Sequence, residues 1–164
     1  MAELTQLESK IGEVIGLAQA AKGATDKVGK LVEDERIKAT LQQMHDESAK
    51  IESMGTELIS SDTYTGKKTA ILDQARETKT EATEMMQTYL GEDADGLDGL
   101  EFLTMAEAGE VGHWQILAKL NEQLGDRELR ELTDYVIPLE EKHFNVTLQA
   151  SLDLAAQEDA MAPA

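Results

Sequence analysis

The sequence predicts an all-α protein, a four-helix bundle of two antiparallel hairpins joined by a helical crossover segment. Apolar residues recur at alternating three- and four-residue spacings over long segments, as they do in amphipathic helices. The composition has only two prolines and 4% aromatic residues, which favours long helices with an aliphatic core. No alternating pattern of strand length is present. A chain of 164 residues is long enough to form a single domain.

Five helical segments are expected, at about residues 3–31, 35–59, 67–90, 97–124 and 127–156. Very short turns join the first segment to the second and the fourth to the fifth, so the helices of each pair must lie antiparallel. Asp34 is the expected N-cap of the second helix, while Gly125 ends the fourth and Asp126 caps the fifth. The third segment has a weaker apolar stripe and is expected to cover one side of the bundle as the crossover.

The charge balance bears on partners and location. The chain has 15 Lys and Arg against 33 Asp and Glu, a net charge of -18. Such a surface repels nucleic acid and anionic membranes, so neither is expected as a partner. The absence of cysteine excludes disulfides and thiolate sites. With no apolar run near the ~20 residues of a membrane span and no signal-peptide pattern at the start, a cytoplasmic protein is expected.

Two of the three histidines follow a Glu by three residues, Glu110 with His113 and Glu140 with His143. This spacing places both side chains of a pair on one face of a helix. Three of these residues fall on the apolar stripes of the last two helices. The expected inward stripe of the fourth helix is Leu103, Ala106, Glu110, His113, Leu117, Leu120 and Leu124. That of the fifth is Leu129, Leu132, Val136, Leu139, His143, Val146 and Ala150.

The hairpin register brings the two pairs together. If the turn centres near Gly125, Glu110 faces Glu140 and Glu107 faces His143. Because a buried carboxylate without a partner costs several kcal/mol, protons or a cation must balance such a cluster. Carboxylate and imidazole ligands suit iron, manganese or zinc. A Glu–His hydrogen-bonded pair without metal is the main alternative.

The first two helices should supply the other half of the site. Glu47 borders the core of the second helix, with His45 beside it and Lys50 three residues later. Together the candidate metal ligands are Glu47, Glu107, Glu110, His113, Glu140 and His143.

Glu107-x-x-Glu110 followed by Glu140-x-x-His143 resembles the second half of the signature of the ferritin-like superfamily of di-iron carboxylate bundles, rubrerythrin-like in spacing. The stretch from Leu117 to Asp126 is similar to that of the small stress-associated ferritin-like proteins of bacteria. The resemblance implies a bundle that binds one or two iron or manganese ions, forms a homodimer and serves metal handling or oxidative-stress defence. Oxidase chemistry with oxygen or peroxide is part of that expectation.

The first half of the chain departs from this signature. Gln19 stands where the first-helix Glu is expected, and Lys50 stands where a His is expected after Glu47. The departure favours a second interpretation, in which the protein is a non-catalytic helical-bundle interaction protein. The buried Glu/His cluster would then be a structural network that fixes helix register. The sequence leaves open whether the protein is an enzyme.

Overall fold

The computed structural model describes residues 3–163. It contains five helices: α1 (Gln6–Leu31), α2 (Glu35–Ser60), α3 (Lys68–Tyr89), α4 (Gly96–Leu124) and α5 (Arg127–Ala155). No strand occurs in this range, so the predicted all-α class is confirmed, and each predicted helix overlaps one observed helix. Among the described residues, no helix has both the length and the apolar character that crossing a membrane requires.

The helices begin and end where local chemistry satisfies their terminal backbone groups. Thr5 and Glu8 form a reciprocal capping box at the start of α1, each side chain accepting a hydrogen bond from the other's backbone N–H. Asp34 caps α2 in the same way as Asp126 caps α5, by accepting from backbone N–H groups of the first turn. Gly125 ends α4 with a φ of 74°, a left-handed conformation that glycine adopts without steric cost.

Four of the helices close a ring of contacts. Helix α1 packs against α2 and α4, and α5 packs against the same two helices. The α1–α2 and α4–α5 pairs are antiparallel hairpins with short connections. Helix α3 lies outside the ring and packs on α1.

Two glycines bring α3 close to α1. A Cβ atom on Gly12 would lie 2.8 Å from the carbonyl oxygen of Ile71, and one on Gly16 would overlap the backbone of Ala75. Ile71 and Ala75 are the buried residues of α3, so the close approach is confined to its first half. The absence of a side chain at Gly12 and Gly16 therefore determines where the crossover helix is attached.

The apolar core is divided into two clusters. One contains residues such as Ile15, Ile51 and Leu117, and the other contains residues such as Val28 and Leu103. Along each helix of the ring the two clusters occupy different turns. The turns between them carry buried polar residues on α2, α4 and α5: Ser48, Glu107, Glu110, Glu140 and His143.

The inward stripe of α4 differs from the predicted one at Ala106, which is half-buried while Glu107 is buried, and again after Glu110. Trp114, Leu117 and Asn121 are buried, whereas Leu124 is 65% exposed. A strict three-four alternation has a period of 3.5 residues, while the helix has 3.6, so the two drift apart by about 60° over three heptads. The inward position therefore moves from residue 113 to 114 and from 120 to 121.

The same drift corrects the stripe of α5. The predicted positions Leu129, Leu132, Val136 and His143 are buried. Leu139, Val146 and Ala150 are only half-buried, and their C-terminal neighbours Glu140, Thr147 and Ser151 take the inward positions instead. The correction brings Glu140 fully into the core.

Candidate metal centre

Glu107, Glu140 and His143 form a compact buried group between α4 and α5. Each residue is at most 1% exposed. The Nδ1 atom of His143 lies 3.6 Å from Oε2 of Glu107 and 3.5 Å from Oε2 of Glu140. One ligand atom from each of the three residues lies within 4.8 Å of the other two, a separation compatible with binding to a common metal ion.

Several atoms of this group lack hydrogen-bond partners. They are Oε2 of Glu107, both carboxylate oxygens of Glu140 and Nδ1 of His143. Buried polar atoms are almost always paired in folded proteins, because leaving one unpaired costs the full free energy of its desolvation. A single cation among the three side chains would satisfy all of these atoms, and two carboxylates with one imidazole suit iron, manganese or zinc.

The opposite side of the His143 ring is held by Glu47 from α2. Its Oε2 lies 2.6 Å from Nε2 of His143, and its other oxygen accepts a hydrogen bond from Gln43 at 2.8 Å. If a metal ion replaces the proton on Nδ1, the proton on Nε2 remains donated to Glu47 and the Nδ1 lone pair is directed toward Glu107 and Glu140. Metal-bound histidines are commonly oriented by a carboxylate in this way. Glu47, predicted as a ligand, is therefore placed to orient His143.

Burial and mutual repulsion leave protons on the metal-free cluster. Burial raises the pKa of Glu107 to about 7, against a lowering effect of His143. Burial would lower the pKa of His143, but the carboxylates of Glu107 and Glu140 outweigh this effect and raise it to about 10. For Glu47 burial acts to raise the pKa, yet its hydrogen bonds from His143 and Gln43 hold it below the usual value. A metal ion would displace protons from this cluster.

Glu110 lies beside the group but outside the three residues whose ligand atoms converge. It is 4% exposed. Burial, followed by the negative charges of Glu140 and Glu107, raises its pKa well above the usual value. No positive charge or hydrogen-bond donor contributes in the opposite direction. Glu110 is thus close enough to Glu140 for their charges to interact, as expected, and no cationic side chain offsets that repulsion.

The structure places His113 outside the group of convergent ligand atoms. Its Nδ1 lies 3.1 Å from Oε2 of Glu13 and 3.2 Å from Nζ of Lys10, both on α1, and its side chain is 37% exposed. Burial and the charge of Lys10 lower its pKa. Because the drift of the helix places Trp114 inward, His113 is directed to the edge of α1 instead of the cluster.

The α1–α2 hairpin brings no comparable group together. His45 lies at the edge of the hairpin, with Nε2 3.7 Å from Asp26 and Nδ1 3.2 Å from Asp46. Lys50 donates a hydrogen bond to the hydroxyl of Tyr135 at 2.8 Å, and Gln19 is half-buried on α1. Between residues 3 and 163, Glu107, Glu140 and His143 are the one group of three or more His, Asp or Glu side chains with convergent ligand atoms.

Three protein ligands leave coordination positions of a bound ion open to water or another small molecule, which is typical of reactive rather than purely structural metal sites. Because each of the three side chains is at most 1% exposed, bulk water has little access to the group. No protein-family model and no curated protein matches the chain.

Proposed function

We propose that the protein is a metal-binding helical bundle that holds one divalent iron or manganese ion through Glu107, Glu140 and His143. The observation that carries the proposal is the set of buried, unpaired atoms that these residues direct toward one another. Zinc is chemically compatible with the same ligands. The proposed site has one ion, because Gln19, His45 and Lys50 supply no second set of ligands.

We propose in addition that the bundle has a ferritin-like arrangement. Two features support it. The helices of the two hairpins form a ring in which α1 and α5 each contact both α2 and α4. The crossover helix α3 runs between α2 and α4 in the sequence and packs outside the ring. In such a bundle, metal ligands project inward from facing helices at one level, as Glu107 and His143 do.

The proposed role is metal handling or oxidative-stress defence. A bound iron or manganese ion would supply redox chemistry toward oxygen or peroxide at its open positions. The protein's own contribution is to hold two carboxylates and one imidazole in place, with Glu47 fixing the proton of His143 on Nε2. The surrounding apolar side chains keep the site poor in water.

A second candidate is a helical-bundle interaction protein whose cluster is structural. The observation that favours it is the pKa of His143, raised to about 10 by its carboxylate neighbours against the effect of burial. A protonated His143 would itself balance part of the negative charge of Glu47, Glu107 and Glu140. The two candidates differ in whether a metal or a proton occupies Nδ1.

Metal analysis distinguishes the two candidates. Protein purified without chelators should contain close to one equivalent of metal by mass spectrometry, and a Glu107→Gln/Glu140→Gln double variant should contain none. A double variant of exposed residues on the same helices, Glu101→Gln/Glu141→Gln, is the matched control because it removes the same charge. Equal metal content in the two double variants would refute the proposed site.

Chelation of the wild-type protein provides a second readout. A ligand present at a hundred times its Kd stabilises a fold by about 2.7 kcal/mol, so removing the metal should lower the melting temperature. The Glu107→Gln/Glu140→Gln variant should not respond to the chelator. A wild-type melting temperature that does not change on chelation would support the candidate function in which the cluster is structural.

A further inference from the structure

A cavity of about 210 Å³ is lined by residues of α1, α3 and α4. Its walls are mainly apolar, with side chains that include Leu17, Ala20, Met85, Met86 and Phe102. Its polar lining residues are Thr83, Glu107, Glu110 and His113. The volume exceeds that of the engineered cavity of roughly 150 Å³ that binds benzene in another protein. The space can therefore hold a small organic molecule.

Glu110 gives this cavity a chemical preference. It is 96% buried, since only 4% of its surface is exposed, and it lines the cavity wall. Its neighbours along the cavity wall are apolar side chains, Glu107 and His113, and the Nδ1 atom of His113 contacts Glu13 and Lys10 on α1. The nearby cation Lys10 is already paired with Glu13 and lies against His113. Glu110 thus has no positively charged or hydrogen-bond-donating partner of its own. A bound molecule could supply one.

The charges around the cavity select among possible occupants. A carboxylate would add a negative charge beside Glu107, Glu110 and Glu140 in a chain whose net charge is -18. A hydrated inorganic cation would lose water without gain along the apolar walls. A molecule with an ammonium group on an apolar body suits both the carboxylate and the apolar walls of the cavity. Its ammonium group pairs with Glu110 while its apolar body contacts the walls.

We propose that the cavity between α1, α3 and α4 binds a small organic amine, with its ammonium group paired to Glu110 and its apolar body against Leu17, Met86 and Phe102. The walls suit a range of such bodies because Met85, Met86 and Met105 contribute flexible side chains. Glu110 is not one of the three convergent metal ligands, so amine binding does not require a metal ion at Glu107, Glu140 and His143.

Calorimetric titration with three six-carbon probes tests the proposal. The probes are n-hexylammonium, n-hexanol and n-hexanoate, titrated into the full-length protein both metal-free and loaded with Mn²⁺, at about 150 mM salt to screen surface charge. Hexylammonium should bind at least about tenfold more tightly than hexanol, since a charge-assisted hydrogen bond is worth more than a neutral one. Hexanoate should give no binding heat. Equal affinity for hexylammonium and hexanol would overturn the proposal, as would failure of hexylammonium to bind.

Three variants distinguish binding in the cavity from binding to the acidic surface. Glu110→Gln should reduce hexylammonium affinity to that of hexanol, whereas Glu141→Gln, which removes an exposed charge, should leave it unchanged. Ala106→Leu fills part of the cavity without altering any charge and should abolish binding of both probes. Undiminished hexylammonium binding in Glu110→Gln or in Ala106→Leu, with circular dichroism showing a folded protein, would refute the assignment. Loss of metal binding alone, with Glu110-dependent amine binding retained, would refute only the proposed metal function.

Discussion

The two hairpins of the ring carry the same pattern but use it differently. On the second helix of each hairpin a Glu precedes another residue by three positions, Glu47 with Lys50 on α2 and Glu140 with His143 on α5. In α5 both side chains are buried and share one site with Glu107. In α2, Glu47 contacts His143 from the edge, while Lys50 is exposed and bound to Tyr135.

The difference shows how a single residue type can change the role of its neighbour. A long cationic side chain at position 50 extends to the surface, where its ammonium group also lies 4.7 Å from the centre of the Tyr135 ring. Without an imidazole beside it, Glu47 serves the site of the other hairpin by orienting His143. One hairpin therefore contains the proposed ligands and the other supports them.

The largest expected effect comes from removing the histidine of the α4–α5 hairpin. His143→Ala should abolish metal binding and destabilise the metal-free protein by about 3–5 kcal/mol, because it leaves buried carboxylates without their partner. His45→Ala, on the other hairpin, should change stability by no more than about 0.5 kcal/mol. Urea unfolding of both variants in the presence of chelator measures the difference. Similar losses in the two variants would mean that the hairpins are not functionally distinct.

A smaller effect on metal binding is expected from changing Glu47, the residue of α2 that orients His143. Glu47→Gln retains the shape of the side chain but weakens its hydrogen bond to Nε2 of His143 and should reduce metal affinity by about 10–100-fold. Gln43→Ala, which removes only the neighbour of Glu47, is the control and should have a weaker effect. Competition with a chelator of known affinity measures the metal affinity of each variant relative to the wild-type protein. A variant that loses all metal would identify Glu47 as a ligand instead.

The metal-free cluster should make stability fall as pH rises. Glu107, with its folded pKa raised to about 7, stays protonated where the unfolded chain has released its proton, so its stabilisation is complete below pH 4.5 and lost as pH rises through 7. His143 acts in the same direction from its unfolded pKa near 6.5 up to about 10. Metal affinity increases with pH, because protons compete for the ligands.

Denaturant unfolding at several pH values, with and without Mn²⁺, measures how the stability of the metal-free and metal-bound protein depends on pH. The free energy of unfolding of the metal-free protein should decline from pH 5 to pH 8, and the decline should be smaller with Mn²⁺ present. Glu107→Gln/Glu140→Gln should weaken the pH dependence. A metal-free protein that becomes more stable over this range would contradict the assigned protonation of the cluster.

The smallest effect is expected at Lys50. Lys50→Ala removes an exposed contact with Tyr135 and should alter stability by no more than about 0.5 kcal/mol, with metal content unchanged. Thermal unfolding and metal analysis of this variant complete the comparison. Reduced metal content would show that the α1–α2 hairpin contributes more than orientation.

The helices were predictable because their ends depend on local chemistry. Asp34, Gly125 and Asp126 act within one turn of the chain, and their roles do not depend on packing. The facing of Glu107 and His143 was also predictable, since a two-residue connection between α4 and α5 fixes their register. The prediction and the structure agree best where a feature depends on residues that are close together in the sequence.

The positions of His113 and Lys50 were not predictable in the same way. A three-four pattern admits either residue 113 or residue 114 as inward, and only the accumulated rotation of a long helix decides between them. The direction of Lys50 depends on Tyr135, which is 85 residues away in the sequence. The role of Glu47 likewise requires knowing that α2 and α5 are neighbours in the ring.

The attachment of α3 through Gly12 and Gly16 has a consequence for exchange kinetics. Backbone contact fixes the helix around Ile71 and Ala75, while between Ala75 and Leu90 no side chain is fully buried. Opening this stretch exposes little apolar surface, so it should occur at a lower free energy than global unfolding. Its amide hydrogens should exchange with deuterium faster than those near Ile71. Because Met85 and Met86 form part of the cavity wall, such local opening would set how quickly a molecule reaches Glu110.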